Sequence, residues 1–341
     1  MFLPDGYRAL VEGAGVLERA ERGRLRLTGA DRRTYLQGIL TNDIAALEPG
    51  TGCYAAMLTP NGRMITDMRV LELGDSVLID LDQTLAPAIR ERLDQFIFAE
   101  DVAVANESAS LAQLGVYGPR AAQILAEVIA ELRTEGGRTP DSTRLGGLRP
   151  YDNMRVDAGA PAVVAASDDF GIAGFEVFLA SPAADALSRA LIARGAMAVN
   201  RETAEVCRVE AGRPLYGVDM DQDTIPLEAG IEDRAISHTK GCYVGQEIII
   251  RVLHRGHGRV ARKLVGLTID GPVPARGDRI NAGDRHTGTI TSAVHSPALG
   301  RSIALGYVHR DHAEPGTRLT VGGPEAQVPA AIVPLPAVRR S

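Results

Sequence analysis

The run SHTKGCYVGQEIIIR, residues 237–251, gathers Lys240, Cys242, Gln246 and Glu247 within eight residues and then enters three isoleucines. It matches no metal, nucleotide or hydrolase motif. Lys-Gly-Cys-Tyr followed by Gly-Gln-Glu carries more donors and acceptors than a core strand satisfies cheaply, which points to a pocket or a surface site. A cationic Lys240 and a permissive Gly241 beside Cys242 form a setting that lowers a thiol's pKa and exposes it. The alternative is a small buried residue at a helix entry.

Cys242 is one of three cysteines, with Cys53 and Cys207. None is in CxxC spacing and the total is odd, so neither a disulfide framework nor a zinc site is expected. The 341 residues exceed the size at which one core stops growing, so two or three domains are expected. Hydrophobic residues at 45% and charged residues at 23% indicate an ordinary globular chain with no membrane span. The start MFLPDGYRALVEGAGVLERA places Asp5 and Glu12 early and lacks a continuous apolar core, unlike a signal or transit peptide, so the expected location is cytoplasmic. A net charge of −6 argues against dedicated nucleic-acid binding.

Outward from the opening run, strand and helix patterns mix. Asp31–Leu40 puts Tyr35, Leu36, Ile39 and Leu40 on one helical face, with Thr41-Asn42-Asp43 as termination signals. RVLELGDSVLIDL (69–81) reads as a hairpin around Gly74-Asp75, and LAPAIRERLDQFIF (85–98) as a helix. GVYGPRAAQIL (115–125) reads as a strand–turn–helix junction whose helix runs over Ala121–Arg133, lacking any phosphate-loop fingerprint. A loop is expected over Gly136–Pro150, a strand over FEVFLA (175–180) and a helix over Ala183–Arg194. From about Arg262, short strand candidates divided by Gly, Pro and Asp predict a small all-β domain, with the Gly/Arg-rich run near His254–Arg259 as connector. The domains expected are 1–258 and 259–341.

Three constellations carry candidate chemistry. TPNGRMITDMRV (59–70) delivers Asp67 on an extended segment among apolar positions, either as a buried acceptor for a ligand N–H or as a turn-stabilising carboxylate. GIAGFEVFL (171–179) presents Glu176 beside glycines that allow close approach, suited to a flat heterocycle with amino groups; the alternative is a solvent-facing strand residue. CRVEAGRPLYG (207–217) offers Arg208 as a fork for a ligand carboxylate or as half of a structural ion pair. His254 and His257 lack a third ligand nearby, and G-x-S-x-G is absent, so metal and serine-hydrolase chemistry are not expected.

KGCYVGQE resembles the signature of the YgfZ-type folate-binding proteins of iron–sulfur cluster maintenance, relatives of the glycine-cleavage T protein (aminomethyltransferase) superfamily. LTGADRRTYLQGILTNDI, YAAMLTPNGRMITD, GFE, RVEAGRPLYG and GTITSAVHSPALGRSIALGYV are similar to the family's other landmarks, in order. The resemblance implies an α+β, T-protein-like fold: two intertwined α/β subdomains plus a C-terminal antiparallel β-barrel around a folate site. It implies tetrahydrofolate or a reduced derivative as cofactor, with Tyr54, Asp67, Glu176 and Arg208 binding it. Cys242, Lys240 and Asp67 are then the catalytic candidates, and Gly241, Tyr243, Gly245, Gln246 and Glu247 complete the signature. The implied function is an accessory one, supporting iron–sulfur assembly or repair in client proteins; the alternative is a folate-dependent aminomethyl or other one-carbon transferase. One departure bears on the choice. Aminomethyltransferases carry Gly-Gly-x-x-Asp-Asp where this chain has Gly62-Arg63-Met64-Ile65-Thr66-Asp67.

Overall fold

The computed structural model describes residues 3–133, 140–255, 259–323 and 327–339. The chain opens with helix α1 (Asp5–Glu12) and strand β1 (Gly15–Glu18), then crosses into β2 (Arg22–Thr28) and α2 (Arg32–Gln37). The predicted helix over Asp31–Leu40 is thus shorter, ending at Gly38. Next come β3 (Gly52–Leu58), β4 (Met64–Glu72), β5 (Val77–Asp82), α3 (Ala86–Asp94) and β6 (Ala103–Asn106). Strands β2 to β6 form one sheet in the order β3-β4-β5-β2-β6, and β4 pairs with β5 across the Gly74-Asp75 turn. Alternate residues of these strands meet α2 and α3 in a core of Leu25, Leu27, Met68, Val70, Ile79 and Leu81.

The chain then returns to β1. Strand β7 (Leu111–Tyr117) pairs antiparallel with it and leads into α4 (Ala121–Leu132), the strand–turn–helix read in the sequence. Of the expected loop, residues 140–150 contain a short helix, α5 (Ser142–Gly146), because Asp141 caps it by accepting the Arg144 N–H at 2.7 Å. Residues 134–139 lie outside those described. Strands β8 (Asn153–Asp157), β9 (Pro161–Ser167) and β10 (Gly174–Ala180), helix α6 (Ser181–Ala193) and the short β11 (Met197–Ala198) complete a second sheet, β11-β1-β7-β10-β9-β8. Two sheets built from interleaved segments result.

Helix α7 (Arg201–Glu210), capped by Asn200, leads through a loop to α8 (Pro226–Ala229), α9 (Glu232–Ala235) and α10 (Gln246–Ile250), the last continued by a π-helical turn, Arg251–Arg255. The connector read from the Gly/Arg-rich run falls partly on residues 256–258, outside those described. Strands β12 (Arg262–Ile269), β13 (Arg279–Ala282), β14 (Arg285–Ser296), β15 (Arg301–His309), β16 (Arg318–Gly322) and β17 (Gln327–Val333) close into an antiparallel barrel, β12-β15-β14-β13-β16-β17. Leu267, Ile280, Ile290, Val308 and Ile332 fill it. Helix α7 packs on its outside through Val209 against Ile303 and Leu305. Among the described residues no helix is long and apolar enough to cross a membrane.

Candidate functional site

A cleft of about 310 Å³ opens where both sheets, α7 and the loop after α7 converge. Tyr54 on β3 and Asp67 on β4 line it together, because antiparallel pairing puts Asp67 opposite Ala56, two residues from Tyr54 on the same face. The Tyr54 hydroxyl donates to Asp67 Oδ2 at 2.7 Å. Burial, reinforced by Asp67, pushes the Tyr54 phenol far above its ordinary range, so it stays a donor. Asp67 is only 7% exposed, and its Oδ1 has no hydrogen-bond partner among the described residues. A buried carboxylate oxygen left bare is costly, which sets Asp67 apart from the satisfied carboxylates around it.

Leu17, Phe170, Leu215 and Tyr216 add apolar walls, and Arg201, Arg213 and Arg234 stand among the lining cations. The Arg234 guanidinium lies 4.8 Å from the Tyr54 ring centroid and donates to Tyr151 Oη at 2.8 Å. Thr41 and Asn42 fix this arrangement. The Thr41 hydroxyl donates to Ala235 O, and Asn42 Nδ2 donates to both Tyr54 O and Arg234 O, tying α9 to β3. Thr-Asn-Asp therefore does more than end a helix.

Glu176, expected as a pterin contact, sits behind residues of the cleft wall. It is buried, faces the other sheet and does not line the cleft. Arg19 and Tyr117 donate to its Oε1, and Gln113 Nε2 to Oε2 at 3.0 Å. Burial raises its pKa, opposed by Arg19. It belongs to a buried ion network with Arg19, Arg22, Arg69, Asp80 and Asp169 between the sheets, in which Arg22 reaches Asp80 at 2.6 Å and Arg69 reaches Asp80 at 2.9 Å. Burial would raise Asp80 and Asp169, yet the neighbouring arginines hold both below the usual carboxylate range. Three cations face three anions there, so the charge is compensated in place.

Arg208 lines the cleft, but its five donors are occupied. Nε and Nη2 grip Glu205, Nη1 donates to Asp219 at 2.7 Å and to Arg213 O, and Nη2 also meets Ser292 Oγ at 2.7 Å. The arginine fastens α7 to the barrel through these ion pairs and the bond to Ser292.

The opening run lies outside this cleft, since none of its residues lines it. Lys240 is buried, and its Nζ donates to the carbonyls of Gln37, Leu40 and Asn42 at 2.6, 2.7 and 2.8 Å. Its three N–H groups close the end of α2. Burial lowers its pKa to about 8. Cys242 and Gly241 are exposed, Tyr243 is buried against the Leu58 and Ile249 cluster, and Gln246 opens α10, where Glu247 pairs with Arg251 at 2.7 Å. Cys207 is buried, and burial pushes the Cys53 thiol up to about 12. Gly245, at φ +85°, abuts the β3–β4 turn: an added Cβ would stand 2.6 Å from Thr59 O.

Arg19, Arg69, Asp169, Phe170 and Arg234 join the site without having stood out in the sequence. Arg22, also on the lining, did have a signal, since Arg22, Arg24 and Arg26 recur at period two in β2 and mark a strand face turned to charge.

Known proteins share this architecture. The family model described as the GCVT N-terminal domain matches residues 3–240, and that of the glycine cleavage T-protein C-terminal barrel domain matches residues 262–338. The chain is 33% identical to an aminomethyltransferase of Rubrobacter xylanophilus, covering 98% of this chain and 86% of that protein. It is 30% identical to one of Thermosynechococcus vestitus, covering 98% and 87%. The structure of glycine cleavage system aminomethyltransferase T from Bartonella henselae superposes with a TM-score of 0.86 at 21% identity, over 98% of this chain and 89% of that one.

Proposed function

The chain belongs to the glycine cleavage T-protein family, and from that premise we propose that its cleft holds tetrahydrofolate and that it transfers a one-carbon unit, as an aminomethyltransferase-like enzyme. The bare, buried Oδ1 of Asp67 carries this reading. A reduced pterin presents N–H donors that this oxygen would accept, Tyr54 and Phe170 offer flat faces, and Arg201 and Arg213 suit an anionic glutamyl tail. Tetrahydrofolate, when bound, supplies the amine that carries the one-carbon unit. The chain's own work is positional: Tyr54 holds the Asp67 carboxylate by Oδ2, which leaves Oδ1 for the ligand, and the apolar walls exclude water.

The test is calorimetric titration with tetrahydrofolate beside an assay of glycine-dependent methylene transfer with a lipoyl carrier. Asp67→Asn should weaken binding about tenfold to a hundredfold, the loss of a charge-assisted hydrogen bond of about 1.5–3 kcal/mol, and should lower turnover. Unchanged affinity in a folded variant would remove Asp67 from the site.

One observation favours a second reading, the accessory role in iron–sulfur cluster assembly or repair. Cys242 is exposed on the signature loop, away from the cleft, within reach of a client protein. The turn adds to this: Arg63 donates to Asp223 O, and a buried Thr66 stands where the transferases carry a second acid. Folate binding without turnover, with rescue of iron–sulfur enzymes in deficient cells abolished by Cys242→Ser, would favour this role over transfer.

A further inference from the structure

Arg19 lines the cleft described above and also a second one of about 320 Å³, which opens between the first turn of α6 and strands β2 and β7. Three residues of this second lining, Arg24, Gln83 and Gln113, each carry one buried polar atom with no hydrogen-bond partner among the described residues: Nε, Oε1 and Oε1. For two of them the chemistry is fixed by what the rest of the side chain does. Gln113 Nε2 donates to the carboxylates of Asp80 and Glu176 at 3.2 and 3.0 Å, so the atom left over must be the carbonyl oxygen. Arg24 spends Nη1 on Arg22 O and Nη2 on Ser108 O, leaving the Nε–H. Both residues are deeply buried, at 5% exposure for Arg24 and 3% for Gln113. Two exposed carboxylates, Glu18 and Asp185, stand on the same lining.

We propose that this cleft is a second ligand site, for a small zwitterion of amino-acid size. Its ammonium would donate to the two glutamine oxygens, with Glu18 and Asp185 supplying negative potential, and its carboxylate would accept the Arg24 Nε–H. The volume suits a small molecule, and two acceptors together with one cationic donor distinguish a zwitterion from a simple amine or a simple acid. Through its amide nitrogen Gln113 joins this site to the ion network behind the first cleft, whereas Gln83 does not line that cleft and serves the second site alone of the two.

Calorimetric and NMR titrations with glycine, methylammonium and acetate test this. Glycine should bind at least about tenfold more tightly than either half-molecule, and Gln83→Leu should weaken glycine about tenfold while leaving tetrahydrofolate affinity unchanged. Asp185→Asn, at an exposed position, is the companion variant and should weaken glycine severalfold. Absence of glycine binding, wild-type glycine affinity in both variants, or displacement of glycine by tetrahydrofolate would each overturn the proposal.

Discussion

Single residues decide what the cleft and the signature loop can do. Asp67 was readable from its turn as a candidate acceptor, and the structure gives it a bare oxygen; Glu176 and Arg208 looked equally available and are fully engaged. The difference is tertiary, since the sequence shows a carboxylate or a guanidinium but not which partners arrive from distant segments. Lys240 shows the same limit. Its neighbours in sequence suggested thiol activation, whereas its partners come from residues 37–42. Its pKa, pushed by burial from the usual 10.5 to about 8, carries a sign. Between those values the unfolded chain holds the proton and the folded chain has released it, so stability rises with pH across the window. Denaturant titrations between about pH 7.5 and 10.5 should therefore show the wild type gaining stability relative to Lys240→Met as pH rises. A flat or falling difference would contradict the burial of the charge.

At the scale of elements, strands and long helices were legible because their periods are strong, as with the hairpin at Gly74-Asp75 and the helix after Ala121. Helix α5 was hidden by its shortness and rests on one cap. The signature loop was legible as a motif but not as packing. Gly62, at φ +70°, lies against Ile248, and Gly245, at φ +85°, lies against Thr59 and Leu58, so loop and hairpin turn interlock through their glycines. Gly245→Ala should cost about 1–3 kcal/mol or more, from the left-handed backbone together with the clash at Thr59 O. Gly241→Ala, where an added Cβ meets nothing within 4 Å, should change stability by about 0.5 kcal/mol or less. Denaturation midpoints of the two variants check the contrast, and equal effects would count against this packing.

For the whole molecule, the barrel was legible from its run of short strands, while its attachment was not. Arg208, Glu210 and Asp219 reach Ser292, Ser296 and Thr291, joining the loop after α7 and the helix itself to β14. Arg208→Met would leave Asp219 buried without its cation, a loss of about 3–5 kcal/mol. Unfolding measurements should show that loss, with tetrahydrofolate affinity of the folded fraction nearly unchanged; the opposite pattern would return Arg208 to a ligand role. The interleaving of the sheets has a bearing on synthesis. Strands β2 to β6 span one continuous stretch, residues 22–106, and can pair as they leave the ribosome, whereas β1 has its first partner only when Leu111–Tyr117 emerges. In a growing chain the earliest strand is therefore an open edge for the longest time, and nascent-chain chaperones should find it there.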